Sequence, residues 1–142
     1  MSQKNVDLVS GLYTAGTMDK EQLLVALPKL IRQACDPEIE WIEDPERADG
    51  RTYRGHDGVL RSFQQWLDQF SEYGFETERL VDCGNDVLVV GRERARGAIS
   101  GAPVTTLIYQ VVTIKNDKVL RFREFYDQAS ALRAVGLREL PD

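Results

Sequence analysis

Two glutamates, Glu93 and Glu124, stand where period-two patterning would turn a carboxyl toward apolar neighbours. Strand alternation places Leu120, Phe122, Glu124 and Tyr126 on one face and Arg121, Arg123 and Phe125 on the other. The face with two aromatic rings and one acid is the better inner face, and two arginines suit the outer one. Burial disfavours the charged form, so Glu124 is expected to hold its proton to higher pH, as an acid or base working near neutrality must. The plainer reading of Glu124 is half of a structural ion pair. Val89, Gly91, Glu93 and Ala95 likewise share a face, opposite Arg92, Arg94 and Arg96. Three arginines are unsuited to an interior, so Glu93 is the second inner acid. Thr106, Ile108, Gln110 and Val112 share a face of another strand. Gln110 and Tyr126 are suited to orient a carbonyl or hydroxyl. Trp41, Phe63, Trp66, Phe70 and Tyr73 are first of all core residues, some of which can also wall a pocket, as can Phe122.

These side chains need elements to carry them. Val6, Val9 and Tyr13 have helical spacing, and Gly16 stops that run. Asp19 with Gln22 three residues on predicts a capped second helix, interrupted by Pro28 with a kink or a division in two. Asp36-Pro37 reads as a turn, Ile39–Glu43 as a short strand, and 45–55 as a loop. Val59, Leu60, Phe63, Trp66, Leu67 and Phe70 predict an amphipathic helix that starts near Asp57 and ends at Gly74. From Phe75 the period becomes two, predicting antiparallel strands at about 75–83, 86–97, 104–115 and 118–126. Gly84-Asn85 and Asn116-Asp117 are the turn pairs. A last helix, Ala129 to Val135, closes at Gly136, with Asp127 as its cap. His56, at a helix start between glycines, is expected to face solvent. A long sheet with helices on one face must curl over them to bury its apolar side, and such curled sheets often enclose a cavity.

Composition narrows the function classes. The 142 residues are read as one domain, 1–142 with a core of about 5–138. Net charge is −5 with no long basic run, which argues against nucleic acid and against an anionic membrane surface. Two cysteines and one histidine, with no Cys-x-x-Cys pair, give no metal-ligand set, and no cofactor motif is present. Neither a secretion leader nor a span of about 20 apolar residues is found, so the expected location is the cytoplasm.

Three stretches carry a family resemblance: Asp36 to Pro45; Tyr53-Arg54-Gly55-His56-Asp57 with the helix behind it; and Lys118 to Asp127 with the helix ending near Leu137. In this order the chain resembles the SnoaL-like branch of the nuclear transport factor 2-like superfamily. The resemblance implies an α+β cone, a strongly curved and largely antiparallel mixed sheet wrapped over about three helices, with an internal pocket. It also implies a homodimer paired through the outer sheet face. Asp44 matches the general base of ketosteroid isomerases, where an aspartate likewise precedes a proline; a turn residue is the plainer reading. The family's other catalytic sets are incomplete here. Strand 104–115 lacks the Arg and Asp of the epoxide hydrolases, and the second histidine of the dehydratases is missing. Tyr13 stands about a helical turn from the isomerases' tyrosine, and Gln110 stands where they carry an aspartate. The expectation is a protein that binds a small, largely apolar molecule. Cofactor-free isomerase, lyase or cyclase chemistry would run through Glu124 or Asp44, with Trp41, Phe63, Trp66, Glu93, Gln110, Phe122 and Tyr126 around the ligand. The alternatives are a non-catalytic binding module and a structural dimer with a filled pocket.

Overall fold

The computed structural model describes residues 2–44 and 48–142. Pro45, and with it part of the expected loop, lies outside the described residues. The elements run α1 (Ser2–Tyr13), a 3-10 turn (Thr14–Thr17), α2 (Lys20–Ala34), β1 (Cys35–Ile42), β2 (Thr52–Arg54), α3 (Gly55–Leu67), β3 (Phe70–Cys83), β4 (Asp86–Gly97), β5 (Pro103–Lys115), β6 (Lys118–Phe125) and α4 (Gln128–Ala134). The strands form one sheet in the order β2-β1-β6-β5-β4-β3, antiparallel except for the β1–β6 pair.

α1, α2 and α3 lie on one face of that sheet. Val9, Leu23, Leu27, Ile31 and Val59 pack there against Ile39, Trp41, Val87, Val89, Val112 and Phe122. α3 touches both β1 and β3, which stand four places apart in the sheet. Flat strands would hold those two about 19 Å apart, so the sheet curls around the helix. The aromatic contacts trace the curl: Trp41 of β1 meets Phe63 of α3 at 4.9 Å, and Trp66 of α3 meets Phe70 of β3 at 5.1 Å. The outer face carries a second core, where Leu88, Val90, Tyr109, Val111 and Phe125 pack under Ala131 and Leu132 of α4.

Several local expectations change. α2 is one helix with Pro28 inside it, because Leu23, Leu27 and Ile31 all reach the core from one face. Asp36-Pro37 is part of β1: Asp36 Oδ1 accepts from the Glu38 amide at 2.8 Å, and the β1–β6 register shifts between Cys35 and Glu40. The turn chemistry is present, but it produces a bulge. The polar segment 52–54 pairs with β1 as an edge strand, and Gly55 at φ 75 makes the sharp entry into α3. α3 ends at Leu67, and Phe70 already belongs to β3, so Gly74 lies inside a strand. Phe70 fits the helical spacing yet reaches Trp66 from the strand. A second bulge, between Val119 and Arg121, pairs Ile114 with Val119 and Val112 with Phe122. Leu120 therefore leaves the inner set, and Val119, fully buried, takes its place.

Candidate functional site

Paired register sets the inner acids on β4 and β6, the two strands that flank β5. Gln110 of β5 stands opposite Val89 of β4 on one side and Glu124 of β6 on the other, and Glu93 stands opposite Phe75 and Thr106. Each acid is held by neutral donors. Glu93, only 5% exposed, accepts at Oε2 from Trp66 Nε1 at 3.0 Å and from the Tyr73 hydroxyl at 2.5 Å. Burial pushes its carboxyl upward, and the two hydrogen bonds pull it partly back. Burial, with the Glu93 charge beside it, also holds the Tyr73 hydroxyl well above the usual range, so Tyr73 remains a donor.

Glu124 terminates a directed chain. The Tyr13 hydroxyl donates to Gln110 Oε1, and Gln110 Nε2 donates to Glu124 Oε2 at 3.1 Å. The Tyr126 hydroxyl donates to the other carboxylate oxygen at 3.1 Å. Burial is the largest influence on Glu124 and the charges of Glu93 and Glu43 add to it, while the bonds from Gln110 and Tyr126 oppose them; the carboxyl is pushed up to about 7. Burial also raises the Tyr13 hydroxyl far above its ordinary value. Among the described residues neither carboxylate has a basic partner, so the arrangement is not a structural ion pair.

Beside this network lies a hollow of about 110 Å3 between the helices and the sheet. Trp41, Phe63, Trp66, Tyr73, Phe75 and Phe122 supply much of its wall, and Tyr13 and Gln110 are among its few polar lining groups. Trp41 sits between Phe63 at 4.9 Å and Phe122 at 5.0 Å, which fixes this side of the wall. Glu124 and Glu93 stand one hydrogen bond behind the lining, through Gln110 and through Trp66 and Tyr73. An amide offers two N–H groups and two lone pairs on its oxygen. With one of each used, Gln110 keeps an N–H and a lone pair for a guest.

The remaining sequence candidates fall elsewhere. Asp44 is buried, at 7% exposed, just past the end of β1 and outside the lining of the hollow. Strand parity gives the side of Trp41 to Glu43, whose charge acts on Glu124. Tyr126 lies beyond the end of β6 and is 37% exposed, so it reaches Glu124 from the solvent side and does not line the hollow. His56 is half-buried, contrary to expectation, with Nε2 donating to the Cys35 carbonyl at 2.9 Å. Asp127 caps α4 by accepting from the Ser130 amide at 3.1 Å. Sequence reasoning discounted Tyr13, placed Tyr73 in the core without its bond to Glu93, and missed Glu43; parity along β1 and β3 was the available signal for the last two. Among the described residues no group of three His, Cys, Asp or Glu is placed to hold a metal ion, and no helix is long and apolar enough to cross a membrane.

Residues 28–122 match the SnoaL-like domain family. The chain belongs to that family. Solved structures similar to this SnoaL-like chain share its fold. A putative SnoaL-like polyketide cyclase from Jannaschia sp. is 16% identical with a TM-score of 0.73, over 99% of this chain and 95% of that one. An NTF2-like protein of unknown function from Burkholderia pseudomallei is 21% identical with a TM-score of 0.71, over 93% and 97%. A hypothetical protein with a ketosteroid isomerase-like fold from Catenulispora acidiphila, in complex with trimethylamine, is 12% identical with a TM-score of 0.68, over 94% and 97%. No curated protein matches the SnoaL-like chain.

Proposed function

We propose that this SnoaL-like protein binds a small, largely apolar molecule carrying one hydroxyl or carbonyl, and moves a proton on it with Glu124 and no cofactor. The carrying observation is the carboxyl of Glu124, pushed up to about 7 and held by Gln110, which itself faces the hollow. Near neutrality such a group is populated both with and without its proton, so it can take one and return it. Gln110 would donate its spare N–H to the guest oxygen, with Tyr13 fixing the amide from behind. The proton path from the guest to Glu124 needs one water or a turn of the glutamate side chain, within the reach required of a general base. Isomerase, lyase and cyclase chemistry all begin with this step. Asp44, also buried, is the second shuttle to test. We also propose a cytoplasmic homodimer paired through the part of the outer sheet face that α4 leaves bare, where Leu107 stands beside the second core half-buried; sedimentation velocity tests it.

The function is tested with a ring ketone, cyclohexanone, in deuterated buffer. The wild-type protein should speed exchange of the hydrogens next to the carbonyl, read by proton NMR, and Glu124→Gln should lose that acceleration. Exchange kept in Glu124→Gln and lost in Asp44→Asn would move the role to Asp44. Binding of the ketone with no exchange in the wild type would leave a binding module.

A further inference from the structure

Phe75 stands between two voids. On its inner side is the hollow of about 110 Å3; on its outer side is a larger one of about 470 Å3, between α1, the 3-10 turn and β3. The outer void is the more polar, with Ser10, Thr14 and Thr17 in its lining. Tyr13, Gly16 and Phe75 line both. Two of these three are fixed. Tyr13 is tied through its hydroxyl to Gln110. Gly16 is wedged on β3, where a Cβ would lie 2.4 Å from the carbonyl oxygen of Phe75. The Phe75 ring is held by packing: it meets the Tyr13 ring edge-on at 5.7 Å and rests over Gly91, whose added Cβ would come within 2.2 Å of its Cζ. Phe75 pairs with Glu93, so its ring leans along the sheet toward the bare backbone at Gly91. Any larger residue at 91 would evict the ring.

We propose that Phe75 is the specificity-determining residue of this site: seated on Gly91, its ring closes the inner hollow and limits the guest to about the size of a single ring. This rests on the reading of the inner hollow as a small-molecule site. An engineered apolar cavity on the order of 150 Å3 takes a benzene molecule, so a hollow of about 110 Å3 has room for no more than a single ring. A chain extending from that ring would run into Phe75. With the ring gone or displaced, the two voids join and that chain has room.

The test is a series of 4-alkylphenols, from 4-methylphenol to 4-octylphenol, titrated into wild type, Phe75→Ala, Phe75→Leu and Gly91→Ala. Trp41 and Trp66 line the hollow and report binding by their fluorescence. Wild-type affinity should fall by roughly tenfold or more from the short to the long phenols, and in Phe75→Ala that short-to-long ratio should shrink toward one, whatever the variant does to the affinity for 4-methylphenol itself. Gly91→Ala should act in the same direction although the phenyl ring is still present, and Phe75→Leu should fall between. Circular dichroism checks the fold of each variant; if Phe75→Ala unfolds, Phe75→Leu and Gly91→Ala carry the comparison. A length limit unchanged in variants that bind 4-methylphenol would overturn the partition and leave the inner site standing. Failure of every form to bind any phenol would overturn the inner site, and the partition with it.

Discussion

Gln110 and Glu124 stand directly opposite each other on β5 and β6, and the amide of one donates to the carboxylate of the other at 3.1 Å. A neutral donor stabilises the ionised form, so it works against the burial that raises Glu124. Gln110→Leu removes that donor and leaves the burial. The Glu124 carboxyl should then titrate above its wild-type value of about 7. A hydrogen bond to a charged group is worth about 1.5–3 kcal/mol, so the rise should be about one pH unit or more. Carbon-13 NMR of the labelled glutamate side chain measures it, and a value at or below that of the wild type would show that Gln110 does not support the carboxylate.

Stability should carry the same signature. Glu124 ionises near 4.5 as an ordinary carboxyl and near 7 in the fold. Between those values the folded state binds more protons than the unfolded one, so stability falls as pH rises from about 4.5 to about 7 and is flat above. The loss from this group is on the order of 2 kcal/mol once its partial exposure is allowed for. Glu124→Gln should lack that slope and unfold at a higher urea concentration than wild type at pH 8. Equal slopes in urea titrations from pH 5 to 8 would contradict the assignment.

Glu93 has two donors, and losing one should be felt. Tyr73→Phe leaves Trp66 as the donor to Glu93 Oε2. The expected cost is about 1–3 kcal/mol, the price of an undersatisfied buried acceptor. It should be larger at pH 8 than at pH 5, because the lost bond favours the ionised form and its removal raises the Glu93 pKa further. Thermal unfolding at the two pH values reads the difference.

On the far side of the sheet, α4 depends on its cap. Asp127 accepts from both the amide and the hydroxyl of Ser130, and these bonds hold its carboxyl below the usual range. Asp127→Ala should lower the thermal unfolding midpoint, because the first turn of α4 loses its cap. Hydrogen exchange should show the helix loosening over Val111 and Phe125 while the network around Glu124 keeps its titration.

What the sequence determined by itself was local and periodic. The capping pair Asp19 and Gln22, the helical stripes, the turn pairs and the period-two second half are all set by neighbours a few residues apart, and each forms. The parity that puts Glu93, Gln110 and Glu124 on the inner face is of the same kind, since alternation needs only a continuous strand. Tertiary structure decided the rest. Tyr13 reaches Gln110 across 97 residues of chain, and Trp66 and Tyr73 converge on Glu93 from a helix and an edge strand. Those meetings depend on how far the sheet curls, to which many weak contacts contribute and for which no short motif stands. The bulge at Val119–Arg121 exchanges Leu120 for Val119, that at Cys35–Glu40 takes up Asp36-Pro37, and a one-residue shift in register reverses every assignment of a face beyond it. Phe75 closes the hollow only because Gly91 lies under its ring, a relation between two strands that neither strand records alone.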